Sequence, residues 1–201
     1  MLPTVSNRRQ MAGKQAKILS EAQVNHLLAW CLTTRQPARN RALVLLSIKA
    51  GLRAGEIAKL TWDMVIGPTG VVGTMLDLRD SAAKNGSGRR VPLHPDLRYA
   101  LLDLRHDEPG GGPVIQSERR LPMTARSIVN WFAEAYRVLN LAGCSSHSGR
   151  RTFITRAARL VHQAGGSLRD VQLLAGHRSI QTTERYIDGD TDVQRRLVSL
   201  I

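Results

Sequence analysis

The sequence predicts a mainly α-helical domain with one small antiparallel β-sheet, resembling no repeat or low-complexity array, on three observations. Apolar residues recur at helical spacing over most of the chain. Between Trp62 and Leu93 that period gives way to short β-rich runs, WDMVI, VVGTMLDL and RRVPL, separated by the turn-forming GPTG and KNGSG. A chain of 201 residues, 42% of them hydrophobic, is long enough for one well-packed domain and too short for a second full one.

The elements follow in order. Residues 1 to 19 hold Arg8, Arg9, Lys14 and Lys17 with no acid and no apolar period, the pattern of a loose basic lead segment before a domain at 20 to 201. Ser20-Glu21-Ala22-Gln23 is a capping-box pattern, and Val24, Leu27, Leu28 and Cys31 carry a helix from it to residue 33. Pro37 opens a second helix through Leu43, Leu46 and Ile48, which Gly51 should stop, and a short third runs from Arg53 to Leu60. After the β-rich runs, Pro95 starts a helix through Leu97, Leu101 and Leu104 that ends at the glycines 110 to 112. Helices are then predicted over 124–141, 147–164, 167–175, 179–186 and from 191 onward.

Charge narrows the function. The 29 Lys and Arg against 16 Asp and Glu give +13, spread along the chain rather than confined to a tail, so a polyanion such as nucleic acid is the natural partner. A generic solubilising basic surface is the bland alternative. Cys31 and Cys144 lie in no CxxC and no metal-like spacing, which points away from disulfides and zinc and fits a reducing cytoplasm. No run approaches the ~18 apolar residues of a membrane span, and MLPTVSNRRQ lacks a signal-peptide core. The expectation is a cytoplasmic protein with no membrane contact.

Several charges sit where a core should be. Phe153, Ile154, Ala157, Ala158 and Val161 form one helical stripe, and extending it backwards reaches Arg150 and His147. Burying an unpaired charge there is costly, so Arg150 calls for an anion, whereas Arg151 reads as a surface charge. Arg53, Glu56, Ile57 and Leu60 share a stripe too, with Glu56 placed to orient Arg53. An internal salt bridge explains that pair as well as function does. Gly176 should end a helix in the left-handed conformation and leave His177 exposed just beyond it, and Lys84 lies at the mouth of the KNGSG turn. Tyr99 and Tyr136 fall in amphipathic helices, where core or boundary packing explains them. Tyr186, in TTERYID, follows four polar residues, and packing explains it poorly.

Together GLRAGEI with Arg53 and Glu56, Lys84 before a short strand, HSGRRTF with His147 and Arg150, LAGH with His177, and RYID with Tyr186 resemble the tyrosine recombinase (phage integrase) family. Each piece is weak alone, but all occur in the family's order across residues 20 to 190. The resemblance implies that Tyr186 attacks a DNA phosphate, giving a 3'-phosphotyrosyl enzyme and a free 5'-hydroxyl, and that reversal rejoins DNA without ATP, metal or cofactor. A phenol titrates near ~10, so a cationic site must favour the phenolate. Arg53 and Arg150 would bind the phosphate oxygens, His147 and His177 would add donors, Lys84 would protonate the leaving oxygen and Glu56 would brace Arg53. The acid run DGDTD at 188 to 192 fails as a calcium loop, because Val193 and Ser199 stand where that loop needs Gly and Glu. It serves better as the cap of the last helix.

Gly149 departs from the family's usual bulky apolar residue, which predicts a looser start to its helix. The family's separate N-terminal DNA-clamping domain has no counterpart in residues 1 to 19, so the chain reads either as a shortened form or as similar to small recombinases such as those that invert fimbrial promoter segments. The resemblance further implies double-stranded DNA as partner and a homo-tetramer on paired sites. Val193, Leu197, Leu200 and Ile201 could dock on a neighbouring protomer or pack on their own domain. The rival readings are a DNA-binding regulator that does not cut and a type IB topoisomerase.

Overall fold

A computed structural model of the chain describes residues 15–107, 111–186, 198, 199 and 201. Arg8, Arg9, Lys14, the acid run 188–192 and most of the last expected helix fall outside these residues. The described elements are α1 (Glu21–Leu32), α2 (Pro37–Lys49), α3 (Ala54–Ala58), a 3-10 turn (Trp62–Met64), β1 (Met75–Leu78), a second 3-10 turn (Lys84–Gly86), β2 (Arg89–Pro92), α4 (Pro95–Asp107), α5 (Ala125–Val138), α6 (Ser148–Leu160), α7 (Leu168–Ala175) and α8 (Ile180–Glu184). The mainly α architecture with one small antiparallel sheet is therefore present. Among the described residues no helix is long and apolar enough to cross a membrane.

Local chemistry sets the helix ends as expected. Ser20 Oγ accepts the Gln23 N–H at 3.2 Å while Gln23 Oε1 accepts the Ser20 N–H at 2.9 Å, closing the box that starts α1. Pro37 opens α2, whose residues Ala42 to Ile48 are all buried. A helix apolar on every side belongs at the centre, and α1, α3, α4 and α6 pack around it. Each buried leucine there contributes about 1.5–3 kcal/mol.

The sheet is smaller than the sequence suggests. Strands β1 and β2 pair antiparallel with Leu76 opposite Val91 and Leu78 opposite Arg89. WDMVI is not a strand: its Val65 and Ile66 N–H groups both return to the Trp62 carbonyl, forming a turn. Trp62, Met64 and Val65 are all buried, a spacing no period-two strand can give. Tyr99 likewise differs from its expected packing role. The buried stripe of α4 is Leu97, Ala100, Leu101 and Leu104, and Tyr99 lies off it, 67% exposed.

Among the described residues, the buried apolar side chains form two clusters. The larger spans α1 to α5 and the hairpin, and it includes Leu19, so the core begins within the segment expected to be a loose lead. Leu19 is fixed by its N–H to Thr152 Oγ1 at 2.9 Å. The smaller cluster, Ile154, Val161, Val171 and Ala175, lies under α6 and α7 with Tyr186 packed against it. The seam between the clusters is unusually close. A Cβ at Gly51, φ +64, would lie 2.4 Å from Phe153 Cδ1, and one at Gly149 would lie 2.3 Å from Ser47 Oγ. Gly149 thus tightens the start of α6 against α2 instead of loosening it. Gly149→Ala is expected to lose about 1–3 kcal/mol through overpacking. Ser47→Gly, made in the same chain, should recover part of that loss in urea titrations, since the glycine itself costs the interior of α2 about 1 kcal/mol.

Candidate active site

The site begins where α3 begins. Arg53 is the N-cap of α3, and Glu56 reaches back from the first turn to accept the Arg53 N–H at 3.0 Å and its Nη1 at 2.7 Å. The expected contact between Glu56 and Arg53 is thus present. A carboxylate only 1% exposed needs more support than that, and it comes from the hairpin. Arg89 donates Nη1 and Nη2 to the two Glu56 oxygens at 3.2 and 3.0 Å, and Nε to the Leu174 carbonyl at 2.8 Å. Burial pushes the Glu56 pKa up, but the Arg89 hydrogen bond and charge, followed by those of Arg53, outweigh it and hold the pKa down to about 2.

Arg150 sits on the first turn of α6, 3% exposed. Backbone carbonyls hold its guanidinium: Nη1 donates to Gly51 O and Nη2 to Ala175 O, both at 2.6 Å. Burial first, and then the charge of Arg53, lower its pKa to about 10, which leaves it charged at neutral pH. His177, expected to be exposed, is 8% exposed. Gly176, φ 62, ends α7 in the left-handed region; the Gln172 carbonyl accepts the His177 N–H at 3.1 Å, and Gln172 Nε2 donates to the His177 carbonyl at 2.9 Å. The chain thereby turns inward. His177 Nε2 lies 3.0 Å from Arg150 Nη2, and Nδ1 lies 2.9 Å from Thr183 Oγ1. Burial, then the charges of Arg150, Arg53 and Arg89, push the imidazole pKa down to about 4, so the ring is neutral at pH 7.

Tyr186 follows α8, with its ring stacked on His177 at 5.5 Å between centroids and 25° between planes. Its carbonyl accepts from Thr155 Oγ1 of α6 at 3.2 Å. One 460 Å³ cavity is lined by Arg53, His147, Arg150, Arg151, Arg185 and Tyr186. Arg53 also lines an adjoining 170 Å³ cavity with Lys84, His177 and Arg178. His147 is exposed on the rim, at the N-cap of α6, rather than at the inner edge of its stripe. Arg151, read from sequence as a surface charge, lines the larger cavity and donates to Gln15.

Arg53 and six other residues singled out in the sequence are therefore gathered together: Glu56 beneath Arg53; Tyr186, His147 and Arg150 in one cavity with it; Lys84 and His177 in the next. Guanidiniums outnumber the single buried acid. Such a surface suits an anion with several oxygens. Among the described residues no group of three or more His, Cys, Asp or Glu is arranged to hold a metal ion.

A sequence profile of the phage integrase family matches residues 17–192. The chain belongs to the phage integrase family. All seven clustered residues lie inside the matched span. Among curated relatives, tyrosine recombinase XerC of Xylella fastidiosa (strain M23) is 31% identical over 156 residues, covering 74% of this chain and 48% of the relative. The putative integrase/recombinase y4qK of Sinorhizobium fredii is 30% identical over 172 residues, covering 85% of this chain and 51% of the relative. The chain thus spans about half the length of the curated relatives it matches. The Tn1549 transposon integrase in complex with a circular intermediate DNA superposes with TM-score 0.73 at 18% identity, covering 94% of this chain and 67% of that one. XerA recombinase gives 0.70 at 21% identity, covering 97% and 66%. These likenesses establish the fold of this family member.

Arg89 and Thr183 have no place in the sequence reading of the site. Arg89 was legible in part: period two puts it on the face of Val91, which is the core face, and sends Arg90 outward to Asp77. For Thr183 there was no such signal.

Proposed function

We propose that this chain is the catalytic part of a site-specific DNA recombinase that cuts and rejoins DNA through a 3'-phosphotyrosine. The observation that carries the proposal is the cavity shared by Tyr186, Arg53, Arg150 and His147. In the forward step the Tyr186 oxygen attacks a DNA phosphorus, the new O–P bond forms, and the bond to the 5'-oxygen breaks. The phenolic proton passes to His147 on the rim, and Lys84 gives a proton to the departing 5'-oxygen. Arg53 and Arg150 neutralise the charge that builds on the non-bridging oxygens, in a partly buried setting where such donors are worth most. Attack by a partner strand's 5'-hydroxyl reverses each step, so the energy of the broken bond is kept and no ATP is needed. Glu56 acts at one remove, by holding Arg53.

Protomers are proposed to assemble as a tetramer on paired double-stranded DNA sites. Val198 and Ile201, both exposed, give the C-terminal segment apolar side chains with which to dock on a neighbour.

The experiment uses a nicked duplex from which the cut strand's short end diffuses away, trapping the covalent form. After incubation in EDTA, a slow band on a denaturing gel and a nucleotide adduct mapped by mass spectrometry to the peptide holding Tyr186 are expected. DNA bound without any adduct, across randomised sites, would favour a regulator that does not cut. Relaxation of supercoiled DNA lacking any preferred site would favour the topoisomerase reading.

A further inference from the structure

We infer that Thr183 is a positioning residue that aims Arg150 by fixing which nitrogen of His177 carries the proton. A guanidinium has N–H groups and no acceptor. Since Arg150 Nη2 lies 3.0 Å from His177 Nε2, that nitrogen must present its lone pair. The one proton of a neutral imidazole is then on Nδ1, facing Thr183 Oγ1 at 2.9 Å, and the hydroxyl accepts it. Thr183 is completely buried, so no water can take over that role. Burial first, and then the charges of Arg150, Arg53 and Arg89 around the ring, oppose a second proton, consistent with its lowered pKa.

This arrangement changes what His177 can do. Its Nε2 lone pair is committed to Arg150, so the ring acts on the site by holding that guanidinium. The Gly51 and Ala175 carbonyls and His177 then fix the Arg150 fork on three acceptors, none of them on its own helix. Thr183 belongs to α8, three residues ahead of Tyr186, whose own carbonyl is held by Thr155 of α6. The same short helix therefore carries both the phenol and the side chain that faces His177.

The catalytic consequence rests on the proposed recombinase activity, whereas the tautomer does not. Two-bond 1H–15N NMR of the 15N-labelled chain at pH 7 is expected to show His177 neutral with the proton on Nδ1. Thr183→Val should lose that preference and lower the rate of covalent complex formation on the order of tenfold to a hundredfold, the cost of an unsatisfied buried donor. DNA affinity should be unchanged, and Thr183→Ser should restore both tautomer and rate. A proton on Nε2 in the wild type overturns the inference, as does a Val variant unchanged in tautomer and rate. If the wild type shows the Nδ1–H form but never forms a covalent complex, the relay stands and the recombinase reading falls.

Discussion

Tyr186→Phe is expected to bind DNA as the wild type does and to lose covalent complex formation by on the order of 10⁶-fold, the scale seen when a nucleophile is removed. The fold gives this variant an unusually clean reading. The hydrogen bond that holds residue 186 runs through its backbone carbonyl to Thr155, and the ring contributes a stack on His177 and packing against the smaller apolar cluster. Phenylalanine keeps all of these. The only group deleted is the phenolic oxygen, so circular dichroism and melting should superpose on the wild type. The same cavity also contains Ser145 and Thr182, whose aliphatic hydroxyls ionise far less readily than a phenol. A covalent adduct that persists in the Phe variant and maps to either residue would move the nucleophile there. Its disappearance, with binding retained, assigns it to Tyr186.

How much of this was legible beforehand depended on the range of the interactions involved. Helix boundaries were, because Ser20 with Gln23, Pro37 and Gly51 act through neighbours in the chain. The site residues were legible as oddities, charges such as Arg53, Glu56 and Arg150 on otherwise apolar stripes. Their partners were not. Glu56 looked sufficient for Arg53, yet its second guanidinium arrives from Arg89, 33 residues away on a strand, and the acceptors of Arg150 are carbonyls of Gly51 and Ala175 at the ends of two other helices. The expected exposure of His177 was a sound inference from its cap, since residues just past Gly176 usually face water. It failed because the turn delivers the ring between α6 and α8, a contact that local sequence does not encode. WDMVI failed for the opposite reason: β-rich composition was read as a strand, while backbone bonds back to Trp62 closed it into a turn.

Glu56→Gln carries the largest expected effect on stability. One carboxylate, 1% exposed, is shared by Arg53 and Arg89, whose side chains are 23% and 5% exposed. Replacing it with an amide of the same shape leaves those guanidiniums without their anion, a change that costs about 3–5 kcal/mol when a buried pair is broken. The dependence on pH distinguishes lost charge from lost packing. The Glu56 pKa falls from 4.5 to about 2 on folding, so the ionised group stabilises the fold fully above pH 4.5 and progressively less as pH falls towards 2. The shift corresponds to about 3 kcal/mol at neutral pH, in line with the mutational figure. The gap in unfolding free energy between wild type and Glu56→Gln, measured in urea, should therefore be widest near pH 7 and nearly closed at pH 2. Other carboxylates titrate in both proteins and cancel in that difference. A gap that stays constant with pH would mean that Glu56 holds α3 and the hairpin together by shape, with no net contribution from its charge. Cleavage should fall in parallel, because Arg53 loses the carboxylate that fixes its Nη1 at the edge of both cavities.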